Sequence, residues 1–137
     1  MNTRRSQQGL SSIGWLLVIL VAGFFLTCAF KLVPAYADNM YIKDGLKSLS
    51  EFENTDRGYA GMSNSDIRSH LSNYFYINNV RSEATKSIDI ERKRDKVLVN
   101  INYETRVPLF YNIEVVMTFN NQFDSNRPAA CCKPQSE

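Results

Sequence analysis

The chain has 137 residues, with sixteen Lys and Arg against fourteen Asp and Glu, a single His and three Cys. A net charge of +2 is too slight for the electrostatic footprint of a nucleic-acid-binding protein. With about 37 residues given to an apolar amino-terminal region, roughly a hundred remain, enough for one small domain.

Residues 13–30 read IGWLLVILVAGFFLTCAF, without a charge, between Arg4 and Arg5 on one side and Lys31 on the other. At helical rise this run covers roughly 27 Å, close to the hydrocarbon core of a bilayer. Three readings follow. A signal-anchor places residues 1–12 in the cytoplasm as a basic segment, makes 13–33 a transmembrane helix and exports the rest, with no second span to reverse the orientation. A cleaved secretory signal would use Ala35-Tyr36-Ala37, which has the small-x-small form of a cleavage site. Against it, the apolar run exceeds the usual length of such a signal, and Lys31 and Pro34 make an unusual approach to the site. Thirdly, a short basic segment ending in Gly9, an apolar helix and then Pro34-Ala35-Tyr36 resemble type IV pilins and pseudopilins. With Leu10 as the first residue after a cut, the fifth position is Gly14, where pilins carry glutamate. The anchor reading is adopted, and within the span Gly23 and Thr27 form a small-xxx-small pair, a candidate helix–helix contact.

Beyond the span, residues 34–123 predict one small α+β domain. Pro34 can start a new helix at its first turn or kink a continuing one, and a juxtamembrane helix is predicted over 35–52, with Tyr36, Met40, Ile42, Leu46 and Leu49 at helical spacing. Gly45 costs that helix about 1 kcal/mol relative to alanine, so packing has to compensate. Residues 53–61 read as a loop. Ser63, three residues before Asp66, caps a second helix carrying Ile67, Leu71, Tyr74 and Phe75, and Asn78-Asn79 ends it near Ile77. Even-numbered apolar residues predict a strand over 80–92, and odd-numbered ones a second from Val97 to Val107. After a tight connection at Val107-Pro108, a third strand runs from Leu109 through Phe119. Two helices on a three-stranded antiparallel sheet result. The tail, 124–137, lacks periodicity and is predicted to be disordered.

No catalytic constellation stands out. His70 lies beside Ser69 and Ser72, but it occupies a short helix next to the apolar position Leu71 and reads as a solvent-edge histidine rather than a base. Ser63, Ser65 and Asp66 fit helix capping. The cluster at residues 92–96 is diluted by neighbouring acidic residues and reads as a solvated hairpin tip. Cys28, Cys131 and Cys132 give no disulfide framework for the domain, although the adjacent pair can oxidise, bind metal or join another chain. His70 is far from every Cys, so no metal-ligand spacing exists. The chain is therefore expected to be no enzyme, with no cofactor, metal or small-molecule substrate. Glu104 and Arg106 share one strand face and, with Asn112, form the candidate interaction surface.

Four motifs occur in order: Gln8-Gly9-Leu10-Ser11, Lys31-Leu32-Val33-Pro34, Ile77-Asn78-Asn79-Val80, and Tyr103-Glu104-Thr105-Arg106-Val107-Pro108-Leu109 with Asn112. In these the chain resembles the domain of unknown function 4845 family, over residues 8–123. The resemblance implies a small single-pass inner-membrane protein of Gram-negative bacteria, a family often encoded beside signal peptidase I and ribonuclease III and without an established activity. The expected role is an accessory or interaction module in the envelope that contacts another envelope protein through the sheet face or the juxtamembrane helix. A pilin-like structural subunit and a factor associated with signal peptidase I are the alternatives. The latter draws on the resemblance and on Ala35-Tyr36-Ala37 at the outer membrane boundary.

Overall fold

A computed structural model describes residues 11–54 and 58–133. Residues 1–10 of the predicted cytoplasmic segment and the last four of the tail lie outside the described residues. Ser11 caps the first helix, α1 (Ser12–Ser48), by accepting from the Gly14 N–H through its side chain. This 37-residue helix contains Pro34 and does not break there. The expectation of a separate juxtamembrane helix is thus corrected: that segment is the second half of α1. Proline removes one i→i−4 bond and costs about 3 kcal/mol in a helix interior, a penalty that tertiary packing can override. That packing is supplied by Ala35, Asn39, Ile42, Gly45 and Leu46, all buried against the domain. Met40 and Tyr36, expected on the apolar face, are instead 66% and 56% exposed, while polar Asn39 faces inward.

A 3₁₀ turn (Leu49–Asn54) and a single helical turn (Gly58–Gly61) lead to α2 (Asn64–Ile77). The predicted cap is present in both directions. Ser63 Oγ accepts from the Asp66 N–H at 3.2 Å, and the Ser63 N–H donates to Asp66 Oδ2 at 2.9 Å. Ile67, Leu71 and Phe75 form the buried stripe of α2. At its far end Asn79 adopts φ +54°, the Asn79 N–H donates to Tyr76 O and the Val80 N–H to Phe75 O, which is the Schellman closure.

Three strands follow, β1 (Ile88–Arg92), β2 (Val97–Phe110) and β3 (Ile113–Asp124), antiparallel in the order β1-β2-β3. The predicted first strand began at 80, but Schellman closure at Val80 and a 3₁₀ turn (Glu83–Ser87) occupy its first half. Ala84 and Ile88, read as alternate strand positions, are also four residues apart, and both are buried around this turn. The predicted connection at Val107-Pro108 is corrected as well: β2 continues to Phe110, and the chain reverses at Tyr111 and Asn112, with Phe110 paired to Ile113. Proline fits here because β1 pairs only with residues 97–101, leaving the β2 edge open at Pro108, where the register also shifts.

The sheet's inner face meets α1 and α2 in one core of Ile42, Leu46, Leu49, Ile67, Leu71, Phe75, Val99, Ile101 and Phe123 with their neighbours. Contrary to the predicted disorder, described residues 124–133 are built into this domain. Asp124 is buried and sits 3.7 Å from Lys96 Nζ, Pro128–Ala130 form a 3₁₀ turn, and Gln122 pairs with Cys132. Cys131 and Cys132 are disulfide-bonded to each other, and Cys132 is 5% exposed in the core, its Sγ 3.5 Å from Lys43 O. The burial of Cys132 and its bridge to Gln122 hold the tail, contacts that leave no periodic trace in sequence.

Candidate functional site

Three of the sequence motifs, far apart along the chain, meet at one place. Residues 31–34 lie where the apolar run of α1 ends, 78–80 form the corner after α2, and 103–109 belong to the open-edged half of β2. Between them is a cleft of about 450 Å³. From α1 it is lined by Lys31, Pro34, Asp38 and Tyr41; across from them stand Asn79 and Arg81 on the corner, and Thr105 and Val107 on β2.

Charge holds the walls together. The Arg81 backbone N–H donates to Asp38 Oδ2 at 3.2 Å, fastening the corner to α1. Lys31 Nζ donates to Pro108 O at 3.0 Å and to Leu109 O at 2.6 Å, fastening the strand to α1 on the other side. Beneath lies a buried polar set: Asn121 Nδ2 donates to Asn39 Oδ1 at 2.8 Å, and the Tyr103 hydroxyl reaches the same oxygen at 3.5 Å. Burial, with Asp38 nearby, raises the Tyr103 hydroxyl well above its ordinary value of 10.0. Ser82 Oγ, itself buried, tempers that rise without a hydrogen bond of ordinary geometry. Tyr103 thus stays a neutral donor.

The residues singled out from sequence are placed differently. Glu104 and Arg106 do share a face, but it is the exposed outer face, opposite Thr118 and Val116 of β3 and turned away from the cleft. Asn112 is exposed in the hairpin turn. Their neighbours in the motif, Thr105 and Val107, line the cleft instead. Asp38 and Arg81 were missed, because neither shows a periodic or paired signal; the motif segments on either side of them were the available clue. Gly23 and Thr27 lie on exposed helix surface. A Cβ built at Gly23 meets nothing within 4 Å, and the Thr27 hydroxyl donates to Gly23 O at 2.8 Å, within the same helix.

His70 is half-buried rather than at the solvent edge, because α2 lays it against the end of α1. Its Nε2 is 3.0 Å from Ser48 Oγ, and its ring meets Phe52 edge to face at 4.9 Å between centroids. This brings a serine to the histidine, as a hydrolase reading would ask. The Ser48 hydroxyl also has Gly45 O within hydrogen-bond reach at 2.7 Å, so the backbone carbonyl competes with Nε2 for its one proton. The contact ties α2 to the end of α1. Burial lowers the His70 pKa from 6.5, with Glu51 acting in the opposite direction. Among the described residues no three His, Cys, Asp or Glu side chains are grouped to hold a metal ion.

Residues 31–119 match the domain of unknown function DUF4845. The chain belongs to this family. No curated protein matches it, and no solved structure does. The DUF4845 region begins at Lys31, the first residue of the cleft, and takes in every residue that lines it while leaving out the apolar run before it. In this DUF4845 protein one helix among the described residues is long and apolar enough to cross a membrane, and its apolar stretch is not buried against the domain.

Proposed function

We propose that this DUF4845 protein is a non-enzymatic, single-pass inner-membrane protein of a Gram-negative bacterium, with its amino terminus in the cytoplasm and its α+β domain in the periplasm, where it serves as an interaction or accessory module for another envelope protein. One observation carries the reading. The motif segments converge on an open cleft at the mouth of the apolar helix, with cations, a carboxylate and apolar side chains side by side, which suits a polypeptide better than a reaction. Photo-crosslinking in native membranes from position 41, inside the cleft, tests it against position 126 on a distant loop. A discrete adduct of fixed mass from 41 alone supports the module. A lone monomer from both positions counts against it.

Ala35 and Ala37 also line this cleft, so association with signal peptidase I is the narrower form of the same proposal. Co-purification that survives bulky replacements at both alanines removes the cleft from that association. Both residues lie within unbroken α1, and Ala35 is 7% exposed. A helix buried on one side is a poor protease substrate, and this favours a retained anchor over cleavage after Ala37.

The continuity of α1 favours a second reading, a pilin-like structural subunit, since half of one long helix is bare and apolar and half is packed on an antiparallel sheet. Intact mass from the native membrane separates the two: loss of residues 1–9 points to pilin-like processing, a full-length mass to the anchored module.

A further inference from the structure

The tip of the β2–β3 hairpin does not project away from the apolar helix; it folds back along it. The Phe110 ring stacks on Phe24 with centroids 5.3 Å apart and planes 11° from parallel. Phe24 precedes Lys31 by seven residues, roughly 10 Å of helix. We infer that this hairpin tip is a second membrane-inserting element, entering the lipid leaflet beside α1, an inference that rests on α1 crossing the bilayer.

Composition at the tip suits lipid. Residues 107–113 read VPLFYNI, with no charge and Asn112 as the one strongly polar side chain. Tyr111 is fully exposed and Ile113 is 61% exposed, so the domain itself gives these side chains no cover. Exposed apolar surface continues from the tip onto α1, where Phe24, Phe25 and Phe30 are open. Arg106 and Glu114 bound the apolar stretch and limit its depth to the interfacial layer, where aromatic rings and snorkelling lysines are favoured.

Backbone groups raise the strongest objection, because a sheet edge in hydrocarbon leaves polar groups unsatisfied. The tip answers it. Pro108 has no N–H to satisfy, and the carbonyls of Pro108 and Leu109 both accept from Lys31 Nζ, which lies 5.7 Å from the Phe110 centroid. Lys31 thereby joins the headgroup layer, the helix and the hairpin.

The test uses the full chain in phosphatidylcholine–phosphatidylglycerol vesicles with brominated acyl chains, in a Trp15→Phe background carrying one tryptophan at a time. V18W reports the span, Y111W and I113W the tip, and N126W a loop away from it. The expected result is a blue-shifted emission and several-fold stronger bromine quenching for V18W and for both tip variants than for N126W. Quenching of V18W with tip variants indistinguishable from N126W overturns the insertion and leaves the anchor standing. Absence of quenching at V18W overturns both. Tip emission that is blue-shifted but unquenched overturns lipid as the occupant and assigns the tip to a second copy of the chain.

Discussion

Phe75 lies so close over Gly45 that a Cβ added there would stand 2.8 Å from its Cε1 and 3.0 Å from Cδ1 of Tyr74. The glycine that weakens α1 locally is thus the site where α2 crosses it, and the buried Phe75 ring covers the exposed backbone. Gly45→Ala gains about 1 kcal/mol of helix propensity and loses about 1–3 kcal/mol to overpacking. Denaturant unfolding in micelles is expected to show a net destabilisation of about 1 kcal/mol, growing with Gly45→Val. A stabilised Gly45→Ala protein would mean that the two helices do not touch there.

The buried pair under the cleft behaves in the opposite sense. Asn39→Leu leaves the Asn121 amide without its acceptor and is expected to cost about 1–3 kcal/mol, whereas replacing both residues with leucine recovers much of the loss. A double-mutant cycle by thermal unfolding measures this. Simple additivity would show that the two amides do not depend on each other.

His70 gives the fold a pH dependence of definite sign. Its pKa in the folded protein lies below the 6.5 of an unperturbed histidine, because burial opposes the imidazolium more than Glu51 supports it. The unfolded chain therefore binds this proton more readily. The neutral ring's contribution to stability is present above pH 6.5 and is lost as the pH falls through the lower, folded value. Asp44, Lys47, Ser48 and Glu51 line the same recess, with Lys47 Nζ 3.6 Å from Asp44 Oδ1. His70→Gln should flatten the fall in melting temperature between about pH 7 and pH 5, with carboxylate titration as the remainder. An unchanged slope would place the ring in free solvent.

Ser63→Ala removes the acceptor for the Asp66 N–H and the partner of its carboxylate. A loss of about 1 kcal/mol is expected, with helicity falling first at the start of α2 when followed by hydrogen exchange. Ser63→Thr keeps both the acceptor and the hydroxyl donor to the Asp66 carboxylate and should recover most of the stability.

Elements decided by local chemistry were legible in the sequence. Ser63 and Asp66 announced the start of α2, Asn78-Asn79 its end, and odd-numbered apolar residues marked β2 and β3. Where tertiary contacts outvote local preference, the reading went astray. Pro34 looked like a boundary because the packing of Ala35, Asn39 and Ile42 that carries α1 past it is not visible one residue at a time. Pro108 looked like a turn because nothing in the sequence says that β1 is short enough to leave its edge free. For the site, strand alternation divides the motif Tyr103 to Leu109 between two faces, with Glu104 and Arg106 on the exposed outer one and Thr105 and Val107 at the cleft. Glu104 and Arg106 draw attention by charge, while Thr105 and Val107 line the cleft quietly.

An unbroken α1 makes the domain a handle fixed to a shaft rather than a bead on a string. Each residue of an α-helix turns about 100° around its axis, so the bearing of the cleft is set by residue number from Phe24 onward. Rolling the shaft in its bearing swings Asp38 and Tyr41 by the same angle. One residue inserted or removed between Phe30 and Pro34 would re-aim the whole head by more than a quarter turn and part Phe110 from Phe24 on the shaft.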